Sequence, residues 1–209
     1  MAATVHIVDD PSFRASTGRL LQACGYAVAL YESGEALLAQ LPKDAGASCI
    51  LLDIRIPALS GPELQARLNE MGSRLPIVFL TGHGDIPASV QAMKAGAIEF
   101  LTKPVDEDNL VRAIQEAIER DRRTRKQHAD MRDLRDRYES LTAREQEVMR
   151  QVVSGLLNKQ IASELRITED TVKFHRGHIM RKMRADSLAD LVRMAENLGI
   201  HSNQRSERT

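Results

Sequence analysis

The 209-residue chain carries 29 Lys/Arg and 29 Asp/Glu, a formal net charge of zero, in a length that is generous for one small domain and comfortable for two with a core each. The neutral sum hides a division: residues 1–120 hold 15 acidic against 10 basic side chains, residues 140–209 hold 9 against 12, so the front suits a cation site and the rear permits nucleic acid. No apolar run approaches the roughly 18 residues of a membrane span, and Met1-Ala2-Ala3-Thr4 lacks a basic stretch leading into an apolar one, so a cytoplasmic protein without membrane contact is expected.

In chain order, β-like runs are predicted at residues 4–8, 27–31, 49–53, 76–81 and 99–101, with helical patterns between them at 12–24, 34–41, 61–71 and 87–95. This alternation indicates an α/β domain, a doubly wound five-stranded parallel sheet with helices on both faces. Cys24 and Cys49 are isolated thiols in apolar surroundings and are expected to be buried and reduced rather than paired or metal-bound. A further helix from Asp106 carries Leu110, Val111, Ile114 and Ile118 on one face and then loses its apolar residues, which places the end of the first domain near residue 120. Residues 121–140 contain neither Pro nor Gly, and Met131, Leu134, Tyr138 and Leu141 recur at helical spacing, so a charged helical linker is predicted. Of a short dimer coil and a solvated helix there, the solvated helix is favoured, because Asp121, Thr124 and His128 occupy the would-be seam.

Residues at or just after four strand ends point to one site: Asp9-Asp10, Asp53, Thr81 and Lys103-Pro104. An open parallel sheet gathers its functional groups in a crevice at the strand carboxyl ends. Three carboxylates there repel unless a cation sits among them, and an all-oxygen set suits Mg2+. A phosphoryl group is the natural guest, with Thr81 and Lys103 on its oxygens and Asp53 as nucleophile.

From Leu141 the pattern turns all-α, with four helices predicted. Thr142 and Glu145 form a capping box before Val148, Val152 and Val153. Residues 158–165, the turn Arg166-Ile167-Thr168 and residues 169–183 make a helix-turn-helix pair, with Ile161, Ala162, Leu165, Val172, Ile179 and Met183 facing inward. On the outward side of the second helix Lys173, Phe174, Gly177 and Arg181 share a face, flanked by Arg176 and Lys182, as a helix entering the major groove of double-stranded DNA requires. An aromatic such as Phe174 has no packing reason to face solvent there but can touch thymine methyls.

The ordered set Asp9-Asp10, Asp53, Thr81, Lys103-Pro104 resembles the flavodoxin-like receiver domain of bacterial response regulators. The segments Thr81-Gly82-His83-Gly84-Asp85-Ile86 and Ala92-Met93-Lys94-Ala95-Gly96-Ala97 resemble its FixJ subgroup. The stretch from Leu141 to Ile200 resembles the LuxR-type helix-turn-helix domain through Leu141-Thr142-Ala143-Arg144-Glu145, Asn158-Lys159-Gln160-Ile161-Ala162, Thr171-Val172-Lys173 and His175-Arg176. The resemblance implies a FixJ/LuxR (NarL) response regulator: receiver 1–120, linker 121–140, DNA-binding domain 141–201 and a disordered tail 202–209. A sensor histidine kinase is its implied phosphodonor for Asp53, and RNA polymerase a further partner. It also implies Mg2+ on Asp9, Asp10, Asp53 and the Arg55 backbone carbonyl, a switch through Thr81 and Phe100, and homodimerisation on phosphorylation. Its implied DNA contacts are Lys159, Thr171, Lys173, Phe174, His175, Arg176, Gly177, Arg181 and Lys182. Two departures stand out: the loop from Asp10 to Arg14 is one residue short and holds Pro11, and Gly177 stands where related helices present a larger side chain. A phosphatase using aspartyl-phosphate chemistry needs a carboxylate two residues beyond its nucleophile, where this chain has Arg55, so no enzyme is expected; a constitutive DNA-binding regulator with a degenerate receiver is the other alternative.

Overall fold

Strands β1 (Thr4–Val8), β2 (Ala27–Tyr31), β3 (Ser48–Asp53), β4 (Ile77–Thr81) and β5 (Glu99–Thr102) form one parallel sheet in the order β2-β1-β3-β4-β5. The computed structural model describes residues 2–40, 46–56, 58–82 and 86–200; the predicted tail 202–209, the predicted helix end at Leu41 and His83-Gly84-Asp85 lie outside them. The chain divides into a unit ending at Arg125 and a second beginning at Lys126. Among the described residues no helix is long and apolar enough to cross a membrane.

In the first unit the central strands are buried on both faces, which is why β3 and β4 read as continuous apolar runs rather than alternating ones. Successive side chains still alternate between two cores. Ile50 and Leu52 join Leu37, Leu64, Phe79 and Ala92, beneath α2 (Gly34–Gln40), α3 (Gly61–Glu70) and α4 (Ile86–Lys94). Cys49 and Leu51 join Leu21, Leu110, Ile114 and Ile118, beneath α1 (Pro11–Ala23) and α5 (Glu107–Glu139). Cys49 is buried as expected, whereas Cys24 is exposed, because it lies just past the end of α1 as its C-cap.

Helix α5 runs 33 residues through the predicted linker. Asp121 is buried in the first unit, where its carboxylate accepts from the Ser48 backbone N–H at 2.9 Å and from Arg125 at 2.6 Å. Leu134 is buried in the core of the second unit, with Met131 and Tyr138 packed against it, so neither end of the segment is a solvated face.

That second core also takes α6 (Ala143–Val153), α7 (Asn158–Leu165), α8 (Glu169–Met183) and α9 (Leu188–Asn197) through Val148, Met149, Ile161, Val172, Ile179, Met183 and Leu191. Thr142 and Glu145 make the capping box of α6 in both directions, and Arg166 at φ 53° ends α7 before Thr168 caps α8.

Candidate functional site

The strand order reverses between β1 and β3, and the carboxylates lie at that switch point, with Asp9 and Asp10 following β1 and Asp53 ending β3. Thr81 ends β4 and is buried. Lys103 follows β5, its N–H donating to the Thr81 carbonyl at 2.7 Å and its peptide bond to Pro104 cis. The Lys103 ammonium reaches the cluster's centre, 2.6 Å from Asp9 Oδ1, 2.7 Å from Asp53 Oδ2 and 3.8 Å from Asp10 Oδ2. Asp53 Oδ1 accepts from the Arg55 N–H at 2.9 Å. Behind Asp53 the chain turns into α3 at Gly61, where an added Cβ would stand 2.8 Å from both the Asp53 carbonyl oxygen and a Phe79 ring carbon; only glycine fits.

Burial pushes the Asp9 carboxyl up to about 7, against the opposing pull of Lys103 and the Asp10 N–H. For Lys103 burial acts downward, but its bonds to Asp53 and Asp9 outweigh it and raise the ammonium above its usual range. Asp9 Oδ2 is buried without a hydrogen-bond partner. Such an oxygen costs free energy unless something positive meets it.

Asp10 behaves differently. Its Oδ1 accepts from the Ser12 and Phe13 N–H groups, both at 3.0 Å, as the N-cap of α1, and the Phe13 bond leads in holding its carboxyl below the ordinary value. The short loop with Pro11 therefore spends one oxygen of the acidic pair on starting a helix. Among the described residues no three His, Cys, Asp or Glu side chains converge on a metal position, so the set expected from sequence is not a preformed cage. Its chemistry still fits a hard cation: carboxylate oxygens only, one of them buried and unmet. Phe100, the other switch residue expected from sequence, is half-buried, its ring centroid 6.4 Å from that of Phe79.

On α8, Lys173, Phe174, Gly177 and Arg181 are exposed, as is Lys159 on α7, and Phe174 keeps 60% of its surface. The Phe174 ring is not free-standing, since its centroid lies 4.2 Å from His178 and 5.9 Å from His175. A Cβ at Gly177 would meet nothing within 4 Å, so the glycine leaves a gap in this face. Lys173 pairs with Asp170 at 3.0 Å, and the Thr171 and Thr168 hydroxyls lie 2.8 Å apart. Arg176 donates to Asn158 Oδ1 at 3.1 Å. Lys182 departs from expectation: instead of lying free beside the helix face, its ammonium sits 2.6 Å from Glu145 Oε2 and 3.2 Å from the Ser140 carbonyl. Burial would push Glu145 up, but Lys182 and the Thr142 N–H and hydroxyl outweigh it and hold the carboxyl at about 2. A buried carboxylate claims the nearest cation, which sequence spacing alone does not reveal.

Residues 5–115 match the family model described as response regulator receiver domain, and residues 139–195 match that of bacterial regulatory proteins, luxR family. Nodulation protein W of Bradyrhizobium diazoefficiens is 46% identical over 206 residues, 98% of this chain and 90% of that protein. The transcriptional regulatory protein FixJ of Rhizobium meliloti is 42% identical over 92% of this chain and 94% of its own length. A solved structure of the response regulator StyR superposes with a TM-score of 0.86 at 43% identity, covering 94% of this chain and 99% of that one.

Proposed function

The chain belongs to the FixJ/LuxR class of two-component response regulators, a receiver domain followed by a LuxR-type DNA-binding domain, and from that membership we propose that phosphorylation of Asp53 switches its binding to DNA. It is a transcription regulator rather than an enzyme. The observation that carries the proposal is the Lys103 ammonium held between Asp9 and Asp53, a cation placed where negative charge accumulates during phosphoryl transfer.

Asp53 Oδ attacks the phosphorus of a phosphohistidine on a sensor histidine kinase; the O–P bond forms, the P–N bond breaks, and the imidazole leaves with the electron pair. The Arg55 N–H fixes the Asp53 carboxylate through Oδ1, so its rotation is set before the donor arrives. Lys103 follows the developing charge, and the Thr81 hydroxyl takes a phosphoryl oxygen. Mg2+, held by Asp9, Asp53, the Arg55 carbonyl and the remaining oxygen of Asp10, would neutralise charge on the phosphoryl oxygens. The product adds about two negative charges at the end of β3. Thr81 and Phe100 carry the response to the face made by α4, β5 and α5, and dimerisation through that face or through α9 brings two α8 helices to half-sites about one DNA turn apart.

In the DNA-binding domain Lys173 and Phe174 read base edges, while Lys159, Arg176 and Arg181 meet phosphates, with Thr171 and His175 beside them. The test is sedimentation and gel shift of the full chain with Mg2+, with and without a small phosphodonor. The wild type should dimerise and bind its operator more tightly on phosphorylation, and Asp53→Asn should remain folded without responding. A wild type whose mass and DNA affinity ignore the phosphodonor, as a constitutive regulator's would, contradicts the proposal.

A further inference from the structure

The geometry assigns Phe13 a positioning role in the phosphoryl-transfer site: its ring holds the Lys103 ammonium between Asp9 and Asp53 and so opposes entry of a divalent cation. The assignment rests on the functional reading above. The Lys103 Nζ lies 4.2 Å from the Phe13 ring centroid, while two of its hydrogen bonds go to Asp9 at 2.6 Å and Asp53 at 2.7 Å. An ammonium has three protons in a tripod, so with two directed at carboxylates the remaining side is presented to the negative face of the ring.

The placement of that ring follows from the first turn of α1. Asp10 caps the helix by accepting from the Ser12 and Phe13 N–H groups, which fixes the backbone of Phe13 next to the acidic pair. Its side chain is half-buried and packs against the core shared by α1 and α5, so the ring has an anchored edge. The ammonium already satisfies one oxygen each of Asp9 and Asp53, and a divalent ion must compete with it for both carboxylates. Whatever steadies Lys103 in the metal-free protein therefore weakens metal binding. A cation over an aromatic face at a partly exposed site accounts for a change of about two- to five-fold.

Two readings on the full-length chain test this, using Mg2+ alone as the probe. Phe13→Leu should bind Mg2+ about two- to five-fold more tightly, and in the metal-free protein the Lys103 Nζ protons, followed by nitrogen-edited NMR, should exchange faster with water. Phe13→Tyr, which keeps the ring, should match the wild type in both. Should the Leu variant not fold, Phe13→Met makes the same comparison. Equal Mg2+ affinity and equal ammonium exchange in the wild type and the ring-less variants would reduce Phe13 to a packing residue and overturn the assignment. If the wild type itself takes up no Mg2+, the phosphoryl-transfer reading fails instead, and the ammonium exchange alone decides whether Phe13 holds Lys103.

Discussion

At the scale of single residues, two buried carboxylates give opposite pH responses. The folded value of Asp9, about 7, stands above its ordinary 3.8, so its contribution to stability is complete below pH 4 and is lost as pH rises through 7. Asp9→Asn should therefore stabilise the metal-free receiver at pH 8, by roughly 1–3 kcal/mol, while removing Mg2+ binding. Urea unfolding of both proteins in chelator measures the first effect, and a variant less stable than the wild type would show that Asp9 is satisfied where it lies. Glu145 runs the other way. Held at about 2 against an ordinary 4.5, it contributes stability above pH 4.5 that disappears as pH falls through 2. Lys182→Ala leaves this carboxylate with the Thr142 N–H and His178 but without its lysine, and the DNA-binding domain should lose about 1–3 kcal/mol in thermal or urea melts at pH 7. That Asp9, Asp53 and Lys103 are neighbours was legible in the sequence because each follows an apolar run, and they do meet; the contacts of Phe13 and Glu145 were not legible. Phe13 stands three positions after Asp10, at the spacing that returns to the same side of a helix, yet nothing in that spacing says that a lysine 90 residues later lies beneath its ring.

At the scale of elements, the strands were legible because apolar runs bounded by turn residues leave little choice of register, and Thr4–Val8 and Ala27–Tyr31 coincide with their predictions. Helix α5 was legible in two pieces. Its apolar stripe fades after Ile118, where ion pairs such as Arg123 with Glu119 and Arg125 with Asp121 continue the helix, and it resumes at Met131, Leu134 and Tyr138, the recurrence from which a helical linker was predicted. Asp121 ties that helix to the start of β3 through the Ser48 N–H, so Asp121→Ala should destabilise the receiver by about 1–3 kcal/mol, read by urea unfolding. Two kinds of DNA contact are proposed for α8. Lys173→Ala should weaken the preferred operator roughly ten- to a hundred-fold while changing random DNA less. Arg176→Ala should weaken all sequences alike and lower the salt slope by about 1, whereas Lys182→Ala should leave the slope unchanged once protein stability is allowed for. Gel shifts across a salt series read all three, and unchanged discrimination by the Lys173 variant would mean that another face of α8 enters the groove.

Taken as one chain, the neutral sequence is an acidic front part and a more basic rear part, and that division of charge follows the two family matches, receiver domain and luxR family. The proposed switch depends on phosphate entering the first unit at one carboxylate, Asp53. Intact-mass measurement of the full chain after incubation with Mg2+ and acetyl phosphate tests it most directly. The wild type should gain about 80 Da, one phosphoryl group, and Asp53→Asn should gain nothing, because the amide has no nucleophilic carboxylate oxygen. Equal incorporation by the two proteins would put the phosphoryl group on a residue other than Asp53.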